Sequence, residues 1–330
     1  MTRMMQAVWY EANGAAQDIL VSGEMPVPDP GAGEVLVRLH ASGVNPSDVK
    51  ARAGSRPMAF ERVIPHSDGA GIVEAVGAGV DPSLEGSRVF VRNGQWQRAH
   101  GTAAQFIAID AGCVHPLPET VGFEVGAALG IPALTAAYAV LKDGPVDGET
   151  ILIHGGGGTV ARLAVQIAVD CGATVIATTG DMARAGRISD AGAVSVLDYR
   201  DPDLVMSVQK AAESHDVTRI IDPECGANIA TSLDILAEKG VIVGYGSVQV
   251  LAPELPFLKM MFKNITLSSI LVYLLGAEEA CAYAGIVGDM LERQGLDVPI
   301  QEILPLHDAA RAHQLVEAGN RSGAVILATG

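Results

Sequence analysis

The chain carries two textures of hydrophobic and polar positions. Its first part consists of short β-type runs, Ala7 to Tyr10, Ile19 to Glu24, Glu34 to His40, Gly69 to Val76, Arg88 to Val91 and Ala103 to Ile109. They are separated by Pro26-Val27-Pro28-Asp29-Pro30-Gly31 and Gly77-Ala78-Gly79-Val80-Asp81-Pro82, whose Pro and Gly content turns the chain. From Glu149 onward the pattern changes. Thr150 to His154 is an apolar run of strand length, and Val160, Leu163, Ala164, Ile167 and Ala168 then recur at helical spacing before a second strand at Thr174 to Thr178. The alternation continues with a helix at Asp181 to Asp190, a strand at Val194 to Asp198, a helix at Pro202 to Glu213 and a strand at Val217 to Asp222. A helix at Asn228 to Ala237 and strands at Val241 to Tyr245 and Asn264 to Ile270 complete the series. Buried strands joined by helices of this length require crossover connections, so the segment predicts an α/β fold with a doubly wound parallel sheet. Beyond residue 272 the pattern gives helix to Gln294, a helix at Asp308 to Glu317 and a strand at Gly323 to Leu327. This tail shows no parallel sheet of its own and is expected to rejoin the N-terminal part.

Composition narrows the class. A length of 330 residues suits two domains of about 150 residues each. With 49% apolar and 18% charged residues the chain is too apolar for disorder, and 38 glycines suit a turn-rich α/β protein. The net charge of −16 argues against a nucleic-acid partner, which requires clustered Lys and Arg. No secretory signal is read at the N-terminus, and a cytoplasmic protein is expected. The longest uncharged apolar stretch, Val125 to Leu141, is interrupted by Gly126, Gly130 and Pro132 and is shorter than the roughly 20 residues of a membrane span. Cys113, Cys171, Cys225 and Cys281 lie far apart in sequence without a C-x-x-C, so four independent reduced thiols are expected rather than a zinc site.

The most informative segment is Ile151-Leu152-Ile153-His154-Gly155-Gly156-Gly157-Gly158-Thr159-Val160-Ala161. As G-x-G-x-x-A it puts Gly156 at the tight turn, Gly158 where backbone approaches a pyrophosphate and Ala161 where helix meets strand. The first N–H groups of the helix would then meet the phosphate charge. Gly31-Ala32-Gly33 and Gly77-Ala78-Gly79 also read G-x-G, but neither joins a buried strand to a helix. The second strand ends in Ala177-Thr178-Thr179-Gly180, without the acid that binds the ribose hydroxyls of NAD. Small hydroxyl residues leave room for a 2′-phosphate, and Arg184 and Arg200 are candidate cations for it, so NADPH is preferred. Asp181 opposes this choice unless it serves as an N-cap.

Several segments together resemble the medium-chain dehydrogenase/reductase superfamily, in its zinc-free quinone oxidoreductase (zeta-crystallin-like) branch. They are Gly31-Ala32-Gly33-Glu34-Val35-Leu36-Val37-Arg38, Ser42-Gly43-Val44-Asn45-Pro46-Ser47-Asp48, Ser67-Asp68-Gly69-Ala70-Gly71, Gly130-Ile131-Pro132-Ala133-Leu134-Thr135, the glycine loop and Val196-Leu197-Asp198-Tyr199-Arg200. The resemblance implies a Rossmann domain, residues 132–272, inserted in a mostly β GroES-like catalytic domain made of residues 1–131 and 273–330, and a homodimer. Zinc-dependent relatives have Cys, His and Cys where this chain has Asn45, Ser67 and Ile131, so a metal-free reaction is implied.

On the same resemblance Asn45 and Asp48 belong beside nicotinamide and substrate. Lys50 stands where the branch often has Tyr and is, with water, the candidate proton donor. Thr135, Gly156, Gly157, Gly158, Thr159 and Val160 are implied at the pyrophosphate or nicotinamide. Gly180, Arg184 and Tyr199 are implied at the adenosine phosphate, Asn228 at the ribose, and Tyr245, Gly246, Ser247 and Leu271 at the nicotinamide. Substrate shape is assigned to Trp96, Phe257 and Phe262, with Met58 and Phe60. The expected activity is hydride transfer from NADPH to a quinone. Reduction of the C=C bond of an α,β-unsaturated ketone or aldehyde is the alternative enzyme reading, and a non-catalytic NADPH-binding protein is the alternative of another class.

Overall fold

The computed structural model describes residues 2–213, 215–319 and 321–330. Two compact units make up the chain. The first collects residues up to Leu134 with Leu275–Gln294 and Val298–Gly330, and the second holds Thr135–Leu274 with Gly295–Asp297.

The first unit is built on β1 (Met4–Trp9), β2 (Val21–Pro26), β3 (Glu34–Val44), β4 (Asp68–Val76), β5 (Arg88–Val91), β6 (Phe106–Asp110) and β7 (Val114–Pro116). The second contains β8 (Thr150–Ile153), β9 (Thr174–Thr179), β10 (Ser195–Asp198), β11 (Val217–Asp222), β12 (Val241–Gly244) and β13 (Thr266–Ser269). The chain then returns to the first unit with β14 (Ile300–Pro305) and β15 (Ala324–Ala328).

Strand β3 organises the first unit: β4, β6 and β15 all pair with it antiparallel. Its Val35, Val37 and Leu39 join Val73, Val89, Val91, Ile107 and Ile109 in one core. On the opposite face Leu36 and Val44 join Met5, Val8, Ile64, Val325 and Leu327 in another. Burial on both faces explains the continuous apolar run Val35-Leu36-Val37, beyond which Arg38 and His40 alternate with Leu39 and Ala41. Gly43 marks a close approach, because a Cβ there would fall 1.9 Å from the Ala127 carbonyl oxygen.

In the second unit six parallel strands run in the order β10-β9-β8-β11-β12-β13. Strand order reverses between β8 and β11, which is the switch point at which doubly wound sheets bind ligands. Leu152, Ile176, Ile220 and Ile242 from four of these strands share a core with Leu204, Val208, Ile229 and Leu233 from two helices.

The structure corrects the sequence reading in detail. Ala16–Ile19 is a helical turn, so β2 begins at Val21. The helix expected from Asn228 begins at Cys225, and that expected at Asp181 to Asp190 opens with a 3-10 turn, Met182–Arg184. In the tail β14 pairs in parallel with β15, where no parallel pairing was expected. Ile300-Gln301-Glu302-Ile303-Leu304-Pro305 is an edge strand with one buried residue, and so lacks the apolar run that marks a buried parallel strand.

Candidate functional site

Between β8 and the helix Thr159–Asp170 the chain turns through Gly155 to Gly158. The positive φ of this corner, 67°, lies at Gly155, one residue before the Gly156 to which the tight turn was assigned. Gly156 is required for packing instead: a Cβ there would lie 3.1 Å from both Ala177 Cβ and Ile188 Cγ2. The corner is fixed by the Gly156 N–H on the Thr178 carbonyl at 2.8 Å and the Gly158 N–H on the Gly155 carbonyl at 2.8 Å. Gly158 is the N-cap and offers no side-chain acceptor. The first intrahelical bond is that of the Arg162 N–H, so the N–H groups of Thr159, Val160 and Ala161 have no acceptor within the helix. Such a helix end attracts an anion through its N–H groups and its dipole.

Apart from Thr135, the other implied cofactor residues follow the carboxyl ends of the same parallel strands. Gly180 follows β9 and lies under the Tyr199 ring, whose Cε1 is 2.6 Å from where a Gly180 Cβ would lie. Arg184 reaches back over the glycine corner, with Cδ 3.1 Å and Nη1 3.8 Å from a Cβ built on Gly157. Asp181 caps the 3-10 turn through the Ala183 N–H at 3.1 Å and accepts from Arg184 Nε at 3.1 Å. Arg200 pairs with both oxygens of Asp198, at 2.9 and 2.8 Å. Beyond β11, buried Asp222 accepts from the Glu224 N–H at 2.8 Å and Asn228 Nδ2 at 3.0 Å. After β12 the Tyr245 N–H meets the Asp222 carbonyl at 3.0 Å, and Gly246 passes Pro223 so closely that a Cβ would lie 2.3 Å from its oxygen. The Ser247 hydroxyl accepts from the Gly226 N–H at 3.1 Å and donates to the Val250 carbonyl. Leu271 stands exposed after β13, and Thr135 is buried in the helix Pro132–Leu141.

The first unit holds a second polar centre. Asn45 is the N-cap of the helix Pro46–Ala53, and its N–H donates to Asp48 Oδ2 at 2.8 Å. Its side-chain amide donates to Asp68 Oδ2 at 2.8 Å, while Ser67 Oγ lies 3.4 Å from Asp48 Oδ1. Burial pushes the Asp48 carboxyl up to about 7, against the lowering pull of the Asn45 N–H, Ser67 and the Arg56 charge. Burial raises Asp68 well above the carboxylate range, although Asn45 and the Ile131 N–H oppose it.

Sequence reasoning named Ser67 as a position lacking a zinc ligand and quoted Asp68 only within a motif; the contact of Asp68 with Asn45 has no local signal in the sequence. That reasoning missed an adjoining buried chain altogether. His66, at a φ of 77°, meets Ser42 Oγ at 2.9 Å through Nδ1 and His313 Nε2 at 2.8 Å through Nε2.

One turn beyond Asp48, Ala51 contributes to a pocket of about 220 Å³ lined also by Tyr10, Arg56, Met58, Phe60 and Trp96. Trp96 thus lines a cavity together with Met58 and Phe60. Lys50 is exposed, and its side chain has no partner among the described residues. Phe257 and Phe262 lie on the helix Phe257–Lys263 in the second unit, 68% and 79% exposed, beside exposed Leu258 and Met261. They do not line the Trp96 pocket.

The donor set does not fit zinc. The aligned positions carry Asn45, Ser67 and Ile131, and the first two are bound to carboxyl groups of Asp68 and Asp48. Among the described residues no group of three His, Cys, Asp or Glu side chains could hold a metal ion. The glycine corner, by contrast, fits a dinucleotide: at Gly157 the backbone lies open beneath Arg184, whose Cδ would be 3.1 Å from a Cβ there, and the helix start leaves its N–H groups to a ligand. Among the described residues no helix is long and apolar enough to cross a membrane.

Comparison with known proteins bears on both units. Residues 31–119 match the family model "Alcohol dehydrogenase GroES-like domain", and residues 159–285 match "Zinc-binding dehydrogenase". The chain is 30% identical to the quinone oxidoreductase of Rattus norvegicus, over 98% of both chains. A mycobacterial quinone oxidoreductase superposes with a TM-score of 0.90 at 29% identity, covering 98% of this chain and 99% of that one. The Escherichia coli quinone oxidoreductase complexed with NADPH superposes with a TM-score of 0.85 at 27% identity, with the same coverage. Full-length identity, a parallel sheet with a glycine corner at its switch point and a GroES-like unit without zinc ligands lead to one assignment. The chain belongs to the quinone oxidoreductase branch of the medium-chain dehydrogenase/reductase superfamily.

Proposed function

We propose that this protein is a metal-independent reductase that uses NADPH to convert a quinone to its hydroquinone. The observation that carries the reading is the corner at Gly155 to Gly158, with a helix start whose first N–H groups lack intrahelical acceptors. When bound, NADPH supplies a hydride from C4 of its nicotinamide. The relatives named quinone oxidoreductase, one of them complexed with NADPH, support the choice of both reactants.

In this reading Gly156 to Val160 hold the diphosphate, and Arg184 with Gly180 and Tyr199 receives the adenosine 2′-phosphate. Asn228 serves the ribose, while Thr135, Tyr245, Gly246, Ser247 and Leu271 border the nicotinamide. A quinone that accepts hydride becomes a hydroquinone anion and needs one proton. Asp48, whose carboxyl is pushed up to about 7, retains that proton on part of the molecules at neutral pH. Its Oδ2 accepts from the Asn45 N–H, so the hydrogen is assigned to Oδ1, beside the Ser67 hydroxyl at 3.4 Å. Asn45 positions the carboxyl from the helix start. Lys50 is the weaker donor, since its side chain has no partner among the described residues to orient it.

The assembly is a homodimer in the same proposal. Strand β13 is an open sheet edge, and the adjoining helix Phe257–Lys263 exposes Phe257, Leu258, Met261 and Phe262.

The test is NADPH oxidation against a quinone panel and an enone panel, with products identified. Hydroquinone formation is expected. Saturation of enones with no quinone turnover would move the activity to C=C reduction. Quenching of protein fluorescence by NADPH with no oxidation in either panel would leave a non-catalytic binding protein.

A further inference from the structure

We infer that the pocket of the first unit selects an acceptor with a flat conjugated body and an anionic substituent, carboxylate or sulfonate, held by Arg56. The choice of a redox-active acceptor rests on the function proposed above; the choice of an anion does not.

Four observations on one cavity carry the inference. First, its size: about 220 Å³, against roughly 150 Å³ for an apolar cavity that takes benzene, gives room for a ring and its substituents. Second, its walls: Trp96, Phe60, Tyr10, Met58 and Val63 offer aromatic and apolar surface to a planar molecule.

Third, the cation. Arg56 lines the cavity, lies 5.3 Å from the Trp96 ring centroid and donates to Gln95 Oε1 at 3.3 Å. Gln95 is itself oriented, because its Nε2 donates to the Arg98 carbonyl at 3.0 Å. A guanidinium stacked on an aromatic face and directed by a fixed amide is suited to receive a carboxylate or sulfonate.

Fourth, Arg56 makes no direct ion pair among the described residues, although its charge acts on the Asp48 carboxyl. Arg3, Arg52, Arg62 and Arg88 of this unit pair with carboxylates, and Arg92 and Arg98 bind backbone carbonyls, whereas the hydrogen bond of Arg56 goes to the Gln95 amide. In a chain of net charge −16, an unpaired arginine in an aromatic-lined cavity marks where an anion is drawn in. The pocket also borders the polar centre: Ala51 lies on the Asp48 helix, and both Arg56 and Asp48 act electrostatically on Tyr10.

The experiment separates binding from turnover. Calorimetric titration of the full-length protein, without cofactor, uses redox-inert 2-naphthoate and its neutral counterpart 2-naphthamide. The expected result is at least tenfold tighter binding of the naphthoate, loss of that difference in Arg56→Met and partial retention in Arg56→Lys. Equal affinities in the unmodified protein, or a difference that survives Arg56→Met, would overturn the inference. In parallel, kcat/KM with NADPH is compared for 1,4-naphthoquinone-2-sulfonate and 2-methyl-1,4-naphthoquinone. At least a tenfold preference for the sulfonate is expected, again abolished in Arg56→Met. Should neither quinone be reduced while the naphthoate result holds, the proposed activity fails and the anion site stands.

Discussion

Asp48 shows how one residue can hold two tasks in this protein. As the third residue of its helix it accepts the Asn45 N–H and completes the helix start. Because the same position is buried, its carboxyl stays partly protonated near neutrality. If that proton goes to the product, the reactive form is the acid, so kcat/KM should fall as pH rises through about 7. Asp48→Asn keeps an acceptor for the helix start but cannot give a proton. It should lower kcat at least tenfold and remove the alkaline limb, as measured by stopped-flow reduction across pH 5.5 to 9. A mutant that retains the wild-type limb would assign the proton to another group. The pair His66 and His313 is a harder residue-scale case. The two rings are 247 positions apart in sequence and meet only because the tail helix Ala309–Glu317 packs in the first unit. Nothing local to either residue announces the contact.

At the scale of elements, what was legible had local causes. The corner at Gly155 to Gly158 was readable because a buried strand, a run of glycines and an amphipathic helix follow one another within a few residues. Strand β14 was not, because its burial depends on neighbours from distant parts of the chain. Of the Arg56 pocket, Met58, Phe60 and Trp96 were named from the resemblance, whereas Tyr10 and Arg56 were not, because distant parts of the chain bring them to the same cavity. Glycines test these causes directly. Gly155 has a φ of 67° and a Cβ there would lie 3.0 Å from Pro223 Cγ, so Gly155→Ala should cost about 1–2 kcal/mol and weaken NADPH binding severalfold. Gly285 lies exposed within the helix Ala277–Glu292 with open space around it, so Gly285→Ala should add about 0.5–1 kcal/mol and leave NADPH binding unchanged. Thermal melts and cofactor titrations on the two variants check both statements, and equal effects would contradict them.

For the whole molecule, the acidic surface and the exposed apolar helix have different consequences. A net charge of −16 keeps copies of the chain apart at long range, so association needs a concentrated apolar contact. Phe257, Leu258, Met261 and Phe262 beside the open edge of β13 supply one. Light scattering should give about twice 34.1 kDa, and Phe262→Asp combined with Leu258→Asp should reduce it to one copy. A monomer before substitution would remove the proposed dimer and leave this surface unexplained.

Strand β3 ends at Val44, yet its partner β15 begins only at Ala324. During synthesis β4 and β6 can pair with β3 early, but its Ala41–Val44 end waits for β15 while every strand of the parallel sheet in the second unit has already been made. Until the last residues arrive, the backbone edge of Ala41–Val44 is open to wrong partners. Control of aggregation in the nascent chain thus falls on how fast its final segment reaches β3.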